Sequence, residues 1–222
     1  MAVERFSPEK KTTSLREAHR DLTRSRIRNA ARDLFYEHHY DTTTMDEIAA
    51  AAGLRRQTLY LHYKDKSEIL TDIIADWVPQ AKAFMATLPG PKPSLKQMQK
   101  WIEEVTRFVA KERAPLSIIL EVRRTSPAHM LTLETLTAEL LAGLGENNPP
   151  FRDAAQGNCP PTLRARALLL LRALTYSCDL YLDDPAKEYA RALLQVTAED
   201  FHSFLGQDAA PRPKRSAKDQ RS

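Results

Sequence analysis

The chain has 222 residues, 42% hydrophobic and 28% charged, and 33 Lys and Arg against 29 Asp and Glu leave a net charge of +4. That length and composition exclude wholesale disorder and allow one domain, or two small ones, with a sizeable core. The positive excess is mild but unevenly placed: residues 1–66 carry 13 basic and 10 acidic side chains, residues 67–206 carry 15 and 17, and residues 207–222 carry 5 and 2. A basic N-terminal third on a slightly acidic body is the pattern of a polyanion-binding head on a separate module. Cys159 and Cys178 make neither a disulfide framework nor zinc spacing and read as reduced thiols in a cytoplasmic chain. No signal-peptide pattern opens the sequence, and its longest strongly apolar run, residues 167–171, stops at Arg172, far short of a membrane span.

With six glycines and apolar residues recurring at three- and four-residue steps, the chain is predicted to be all-α, without internal repeats. Residues 1–13 read as a flexible arm. Ser14 and Glu17 have capping-box spacing and open a first helix whose apolar positions include Leu15, Ala18, Leu22, Ile27, Ala31 and Phe35; a later start near Thr23 is the alternative. Thr44 and Glu47 form a second capping box, on a short helix that Gly53 ends. Another short helix runs from Arg55 or Arg56 to Tyr63, and a long one from Asp65 or Lys66 carries Ile69, Leu70, Ile73, Ile74 and Trp77, with a kink expected at Pro79. After the Pro-rich break at residues 88–93, Ser94 caps a helix with Met98, Trp101, Ile102, Val105 and Phe108. Pro115 opens the next, and one more follows Ser126 and Pro127 to about Leu144. Residues 145–161 read as a long loop, Thr162 as the cap of a helix to about Leu182, and Asp184 and Pro185 as the start of the last helix, ending near Gly206. The basic tail, residues 207–222, reads as disordered.

Residues 44–63 are thus two short helices joined at residues 52–54, the outline of a helix-turn-helix. Small residues at 49–52 let the first helix pack closely, and Leu54, Leu59 and Tyr63 give the second an inner face. Its outer face presents Arg55, Arg56, Gln57, Thr58, Tyr60 and His62, all able to hydrogen-bond to phosphates or base edges, so double-stranded DNA is the expected partner. His38 and His39 lack carboxylate or thiolate companions, so no metal and no cofactor is expected there.

The stretch YDTTTMDEIAAAAGLRRQTLYLHYKDKSEIL at residues 40–70, with IRNAARDLF at residues 27–35, closely resembles the DNA-binding region of TetR-type (tetracycline-repressor-like) transcriptional regulators. The resemblance covers residues 20–75, about a quarter of the chain. His39 stands where such regulators usually have Gly, and Arg55 where they usually have a small residue. The resemblance implies that Thr43 and Thr44 meet a phosphate, that Arg56 and Gln57 read base edges, that Thr58, Tyr60 and His62 hold the DNA backbone, and that Lys66 binds another phosphate. Residues 14–66 would then be a three-helix DNA-binding head with the helix-turn-helix, and residues 67–206 a helical bundle for ligand binding and dimerisation.

Two further expectations concern that body. The helix at about 162–182 is apolar nearly all round, and the one at about 185–206 has two apolar edges, Tyr189-Leu193-Val196 and Ala190-Leu194-Phe201-Leu205. Elements apolar on opposite sides need covering on both, which predicts a homodimer through these two helices, as the resemblance also implies. The second expectation is a mostly apolar pocket for an unknown small-molecule effector, bounded by residues 77–88, 98–109, 118–130 and 168–179. Trp77, Phe84, Trp101, Val105, Phe108, Arg123 and Tyr176 are its candidate lining, with core filling as the alternative for the aromatics. The chain is therefore expected to be a sequence-specific repressor released from a palindromic operator by that effector. A regulator without an effector is the alternative; an enzyme is disfavoured, because no nucleophile elbow, phosphate loop, HExxH or paired-carboxylate pattern occurs.

Overall fold

The computed structural model describes residues 15–125 and 129–206, with no side-chain placement for residues 130–132. Three expectations lie outside the described residues: the N-terminal arm with its Ser14 cap, the Ser126–Pro127 break and the basic tail. Ten helices make up the described part: α1 (Leu15–His38), α2 (Met45–Ala51), α3 (Arg56–His62), α4 (Lys66–Met85), α5 (Leu95–Lys111), α6 (Arg113–Thr125), α7 (Met130–Leu144), α8 (Pro149–Gln156), α9 (Pro161–Asp183) and α10 (Glu188–Gly206). No strand occurs among the described residues, so the all-α expectation holds. The chain divides into two units, Met1–Ile73 and Ile74–Ser222, and α4 supplies residues to both.

In the first unit α1 buries Ile27, Ala31 and Phe35, four residues apart and so on one helical face. Leu15 and Leu22 are exposed, so the earlier half of the apolar stripe covers nothing in this unit. His39 follows α1 at φ 69°, the left-handed conformation that glycine adopts at lower cost, at the position where the resembling regulators carry Gly. The Thr44–Glu47 capping box forms with both reciprocal bonds. Gly53 takes φ 65° after α2, as its left-handed reading requires, and a Cβ there would stand 3.1 Å from Arg26 Nη2. That guanidinium donates to the Ala52 carbonyl at 2.7 Å, closing the C-terminal end of α2. The unit's polar anchor is Asp72 on α4, which accepts from Arg24 Nη2 at 3.1 Å, from Arg28 Nη1 at 3.4 Å and from the Tyr63 hydroxyl. Arg24 also lies 4.3 Å from the centre of the Tyr63 ring and donates to the His62 carbonyl. One carboxylate thus ties α1, the end of α3 and the start of α4 together. Burial opposes its ionisation, but the Tyr63 hydroxyl and the two guanidiniums outweigh that and hold its carboxyl below the usual range.

The second unit is a helical bundle in which α10 packs on α9 and α5, and α8 on α7 and α9. Trp101, Phe151, Phe201 and Phe204 form a connected aromatic cluster, with ring centroids 4.9–5.6 Å apart. Gly143 on α7 lets α4 come close, since a Cβ there would stand 2.5 Å from the Lys82 carbonyl oxygen. Lys82 and Glu139 pair across the same two helices at 2.7 Å.

Four local expectations need correction. Residues 145–161 are not one long loop but contain α8: prolines 149 and 150 occupy its first turn, Gly157 ends it at φ 72°, and burial of Phe151 and Ala154 stabilises it. Thr162 does not cap α9, which begins at Pro161 after Pro160. Asp184 and Pro185 precede α10 rather than start it: Asp184 Oδ1 accepts from the Ala186 N–H in a local turn, and the helix begins at Glu188. Pro115 sits in the first turn of α6, which opens two residues earlier at Arg113. Pro79 lies inside α4, where the apolar pattern placed it.

Candidate functional site

The outer face of α3 is built by the helix-turn-helix geometry. Leu59 is fully buried, and Tyr63 just beyond the helix is 1% exposed, so the opposite side must face solvent. Arg55, Arg56, Gln57 and Tyr60 are exposed, and Thr58 and His62 are half-buried. Arg55 serves as N-cap residue without a side-chain cap bond. Arg56 Nη1 pairs with Asp46 Oδ2 at 2.8 Å and its guanidinium lies 5.5 Å from the centre of the Tyr60 ring. Asp46 and Tyr60 thereby hold this side chain across the α2–α3 surface. Tyr60 is 43% exposed, so its ring is not part of the core. His62 has its titration lowered by burial and then by Arg20 and Arg24, and its Nδ1 is buried without a protein partner, so it offers a neutral imidazole.

Three residues expected at phosphates sit differently. Thr43 is 3% exposed, and its hydroxyl donates to the His39 carbonyl at 2.8 Å. Thr44 is exposed, but its N–H and hydroxyl both donate to Glu47 Oε2 at 2.8 Å. Those bonds from Thr44 hold the Glu47 carboxyl below its usual range. Lys66 Nζ donates to the carbonyls of Tyr40, Asp41 and Thr43 at 2.7, 2.9 and 3.2 Å and lies 4.6 Å from the centre of the Tyr40 ring. An ammonium has three donors, and all are spent on the loop between α1 and α2. In this geometry Thr43 and Lys66 shape the loop that starts α2. Leu61, which reasoning from hydrogen-bonding residues does not single out, is 82% exposed on α3, and its place four residues after Gln57 puts it on the same exposed side.

In the body, the expected pocket residues separate. Trp101 and Val105 are buried, and the Trp101 indole N–H donates to Thr87 Oγ1 at 3.1 Å. Phe84 and Phe108 stack at 4.4 Å. These four fill space between helices, as the alternative reading allowed. Tyr176 is 55% exposed on the surface of α9 and lines no cavity described here. Trp77 and Arg123 do share a cavity, of about 30 Å³, walled by apolar side chains of α4, α6, α7 and α9. A larger cleft of about 500 Å³ lies elsewhere, along α5, the end of α9 and α10, with Glu103, Arg107, Tyr181 and Arg191 among its lining. Among the described residues no cluster of three or more His, Cys, Asp or Glu could hold a metal, and no helix is long and apolar enough to cross a membrane.

Residues 27–73 match the family of bacterial regulatory proteins of the TetR type. The HTH-type transcriptional regulator AcrR of Shigella flexneri is 41% identical over 51 residues, which is 23% of this chain and 24% of that protein. The HTH-type transcriptional regulator UidR of Escherichia coli K12 is 27% identical over 176 residues, 75% of this chain and 85% of that one. Among solved structures, GusR of Salmonella enterica has a TM-score of 0.60 at 22% identity, covering 83% of this chain and 95% of its own, so the likeness in fold extends through the body. The family match falls on the helices whose packing exposes the polar side of α3: residues 27–73 are similar to the DNA-binding region of TetR-type transcriptional regulators, and the likeness to UidR continues through much of the body.

Proposed function

We propose that the protein is a homodimeric repressor that holds a palindromic operator through α3 and leaves it when a small-molecule effector enters the body. Residues 14–66 serve as the DNA-binding head and residues 67–206 as the ligand-binding and dimerisation domain. The observation that carries the reading is the exposed row Arg55, Arg56, Gln57 and Tyr60, at and along a short helix whose inner side buries Leu59. Arg56 suits guanine and Gln57 suits adenine. Thr44, Arg55, Thr58, Tyr60 and His62 hold the backbone, and Leu61 offers an apolar contact to a thymine methyl. Thr43 and Lys66 act one step back, by fixing the loop ahead of α2.

Dimerisation is supported by the exposed apolar residues Leu169 and Tyr176 on α9 and Tyr189 and Val196 on α10. Of the two apolar edges of α10, Ala190, Phe201 and Leu205 are buried in their own unit while Tyr189 and Val196 are left uncovered. A two-fold partner covers that side and sets two recognition helices about 34–36 Å apart, or a small multiple, along the DNA. The effector reading is supported by the Trp77–Arg123 cavity, and α4 contributes both Trp77 to that cavity and Asp72 to the network that anchors α3. The reading is non-enzymatic and places the protein with the DNA in the cytoplasm.

Selection of bound DNA from a random pool tests this reading. A two-fold symmetric consensus with fixed half-site spacing supports it. Enrichment of single, unpaired sites would refute the dimer, and no enrichment would refute operator binding.

A further inference from the structure

The cavity between α4, α6, α7 and α9 combines three features that packing alone does not account for. Trp77 is 6% exposed, lines the cavity, and its indole Nε1 is buried without a protein partner. Two guanidinium-bearing residues, Arg123 and Arg172, line the same cavity, and among the described residues neither has a carboxylate partner or a side-chain hydrogen bond. Burial, and then the charge of Arg172, lower the Arg123 titration, with no acidic group acting to offset them. The rest of the wall is largely hydrocarbon, including Leu116, Ile119, Leu136 and Leu140. Like charges gathered at an apolar cavity with an orphaned donor lack an anion.

We propose that this cavity takes an apolar molecule ending in a single carboxylate, with Arg123, Arg172 and the Trp77 N–H as its anion end. The inference rests on the effector reading above and names the chemical class of that effector. Arg172 is exposed and Arg123 half-buried, so the anion enters past Arg172 and settles against Arg123. A monoanion suits the site better than a phosphate dianion, because two guanidiniums in apolar surroundings cannot replace the hydration of two charges. At about 30 Å³ the cavity has the volume of roughly one water molecule. Binding therefore parts the four helices, and a ligand that binds only the parted arrangement shifts the population toward it.

The test uses the full-length protein on its selected operator, with octanoate, dodecanoate and 4-phenylbutyrate as probes, and the alcohol and amine of each carbon skeleton as neutral and cationic matches. Tryptophan fluorescence, the melting temperature and operator release are read together. The expected result is that the carboxylates bind at least about tenfold more tightly than their matches. Arg123→Gln and Arg172→Gln should abolish that preference while operator affinity without ligand is unchanged. Arg172→Gln alters an exposed side chain, so it decides the matter if Arg123→Gln fails to fold. Equal binding of acid and alcohol, a preference that survives both substitutions, or no carboxylate binding at about 1 mM overturns the proposal. Operator release by the neutral or cationic compounds alone would overturn the anion site and leave the effector reading standing. Intact operator binding with no response to any compound in a broad, chemically mixed panel would count against both.

Discussion

Arg56 and Lys66 are both cations of the head, yet their surroundings assign them different work. Arg56 is held at the surface by Asp46 and Tyr60 and can reach a base edge by exchanging an exposed ion pair worth at most about 1 kcal/mol. Arg56→Ala should relax base preference at one position in each half-site and cost about 1–3 kcal/mol there, read by repeating the DNA selection and by binding to single-base operator variants. Lys66→Met should instead lower the melting temperature of the head, losing about 1–3 kcal/mol as three carbonyls lose a charged donor. The salt dependence of operator binding separates the roles: a slope reduced by about 1 in Lys66→Met would show a direct phosphate contact. Leu61→Asn is expected to keep the fold, because the side chain is exposed, and to weaken discrimination for thymine at one position. Gly53→Ala should cost about 1–2 kcal/mol, because an L residue at φ 65° crowds its own Cβ and here meets Arg26 as well.

At the scale of elements, the placing of α3 depends on Asp72, outside the helix-turn-helix. Its folded carboxyl titrates below the unfolded value, so its stabilisation is fully present above the ordinary aspartate range near pH 4 and disappears as pH falls through the folded value. Asp72→Asn should therefore destabilise the head at neutral pH, by about 1–3 kcal/mol for a half-buried carboxylate with two guanidinium partners. The same substitution should flatten the loss of stability below about pH 4, measured as melting temperature against pH. In the body, Gly143→Ala should cost about 1–3 kcal/mol or more by forcing α7 away from the Lys82 carbonyl, whereas Lys82→Gln should change little because that ion pair is half-exposed.

At the scale of the whole molecule, the proposed repressor works as two copies acting on one DNA. Leu169→Glu with Val196→Glu places charge in the uncovered apolar surface of α9 and α10 and should yield a monomer at micromolar concentration by sedimentation. Operator affinity should then drop by several orders of magnitude with the half-site preference retained, since each head keeps its own contacts and loses only the linkage to the second. A variant that remains dimeric would place the interface elsewhere. The cavity near Trp77 belongs to this scale as well. On the proposed reading, its small volume leaves the effector a structural change to drive, and a coupling of about 1–3 kcal/mol between ligand and DNA would suffice to release the operator.

Local chemistry made several of these features legible in the sequence. The capping boxes at Thr44 and Ser94 form as spaced, because a hydroxyl and a carboxylate or amide three residues on meet at the first turn of any helix. Gly53 adopts its left-handed turn, and Arg56, Gln57 and Tyr60 lie on the exposed side that the burial of Leu59 dictates, since helical periodicity alone relates those positions. Tertiary structure decided what periodicity cannot weigh. α8 forms in a Pro- and Asn-rich stretch because burial of Phe151 among the aromatics of α10 outweighs weak propensity. Leu15 and Leu22 continue an apolar pattern, yet no element of their unit comes to cover them. Lys66 and Phe84 have the right chemistry for a ligand, but neighbours distant in sequence take up their ammonium and ring first. Spacing along a chain specifies which side chains share a face; only the packed molecule specifies which partners reach them.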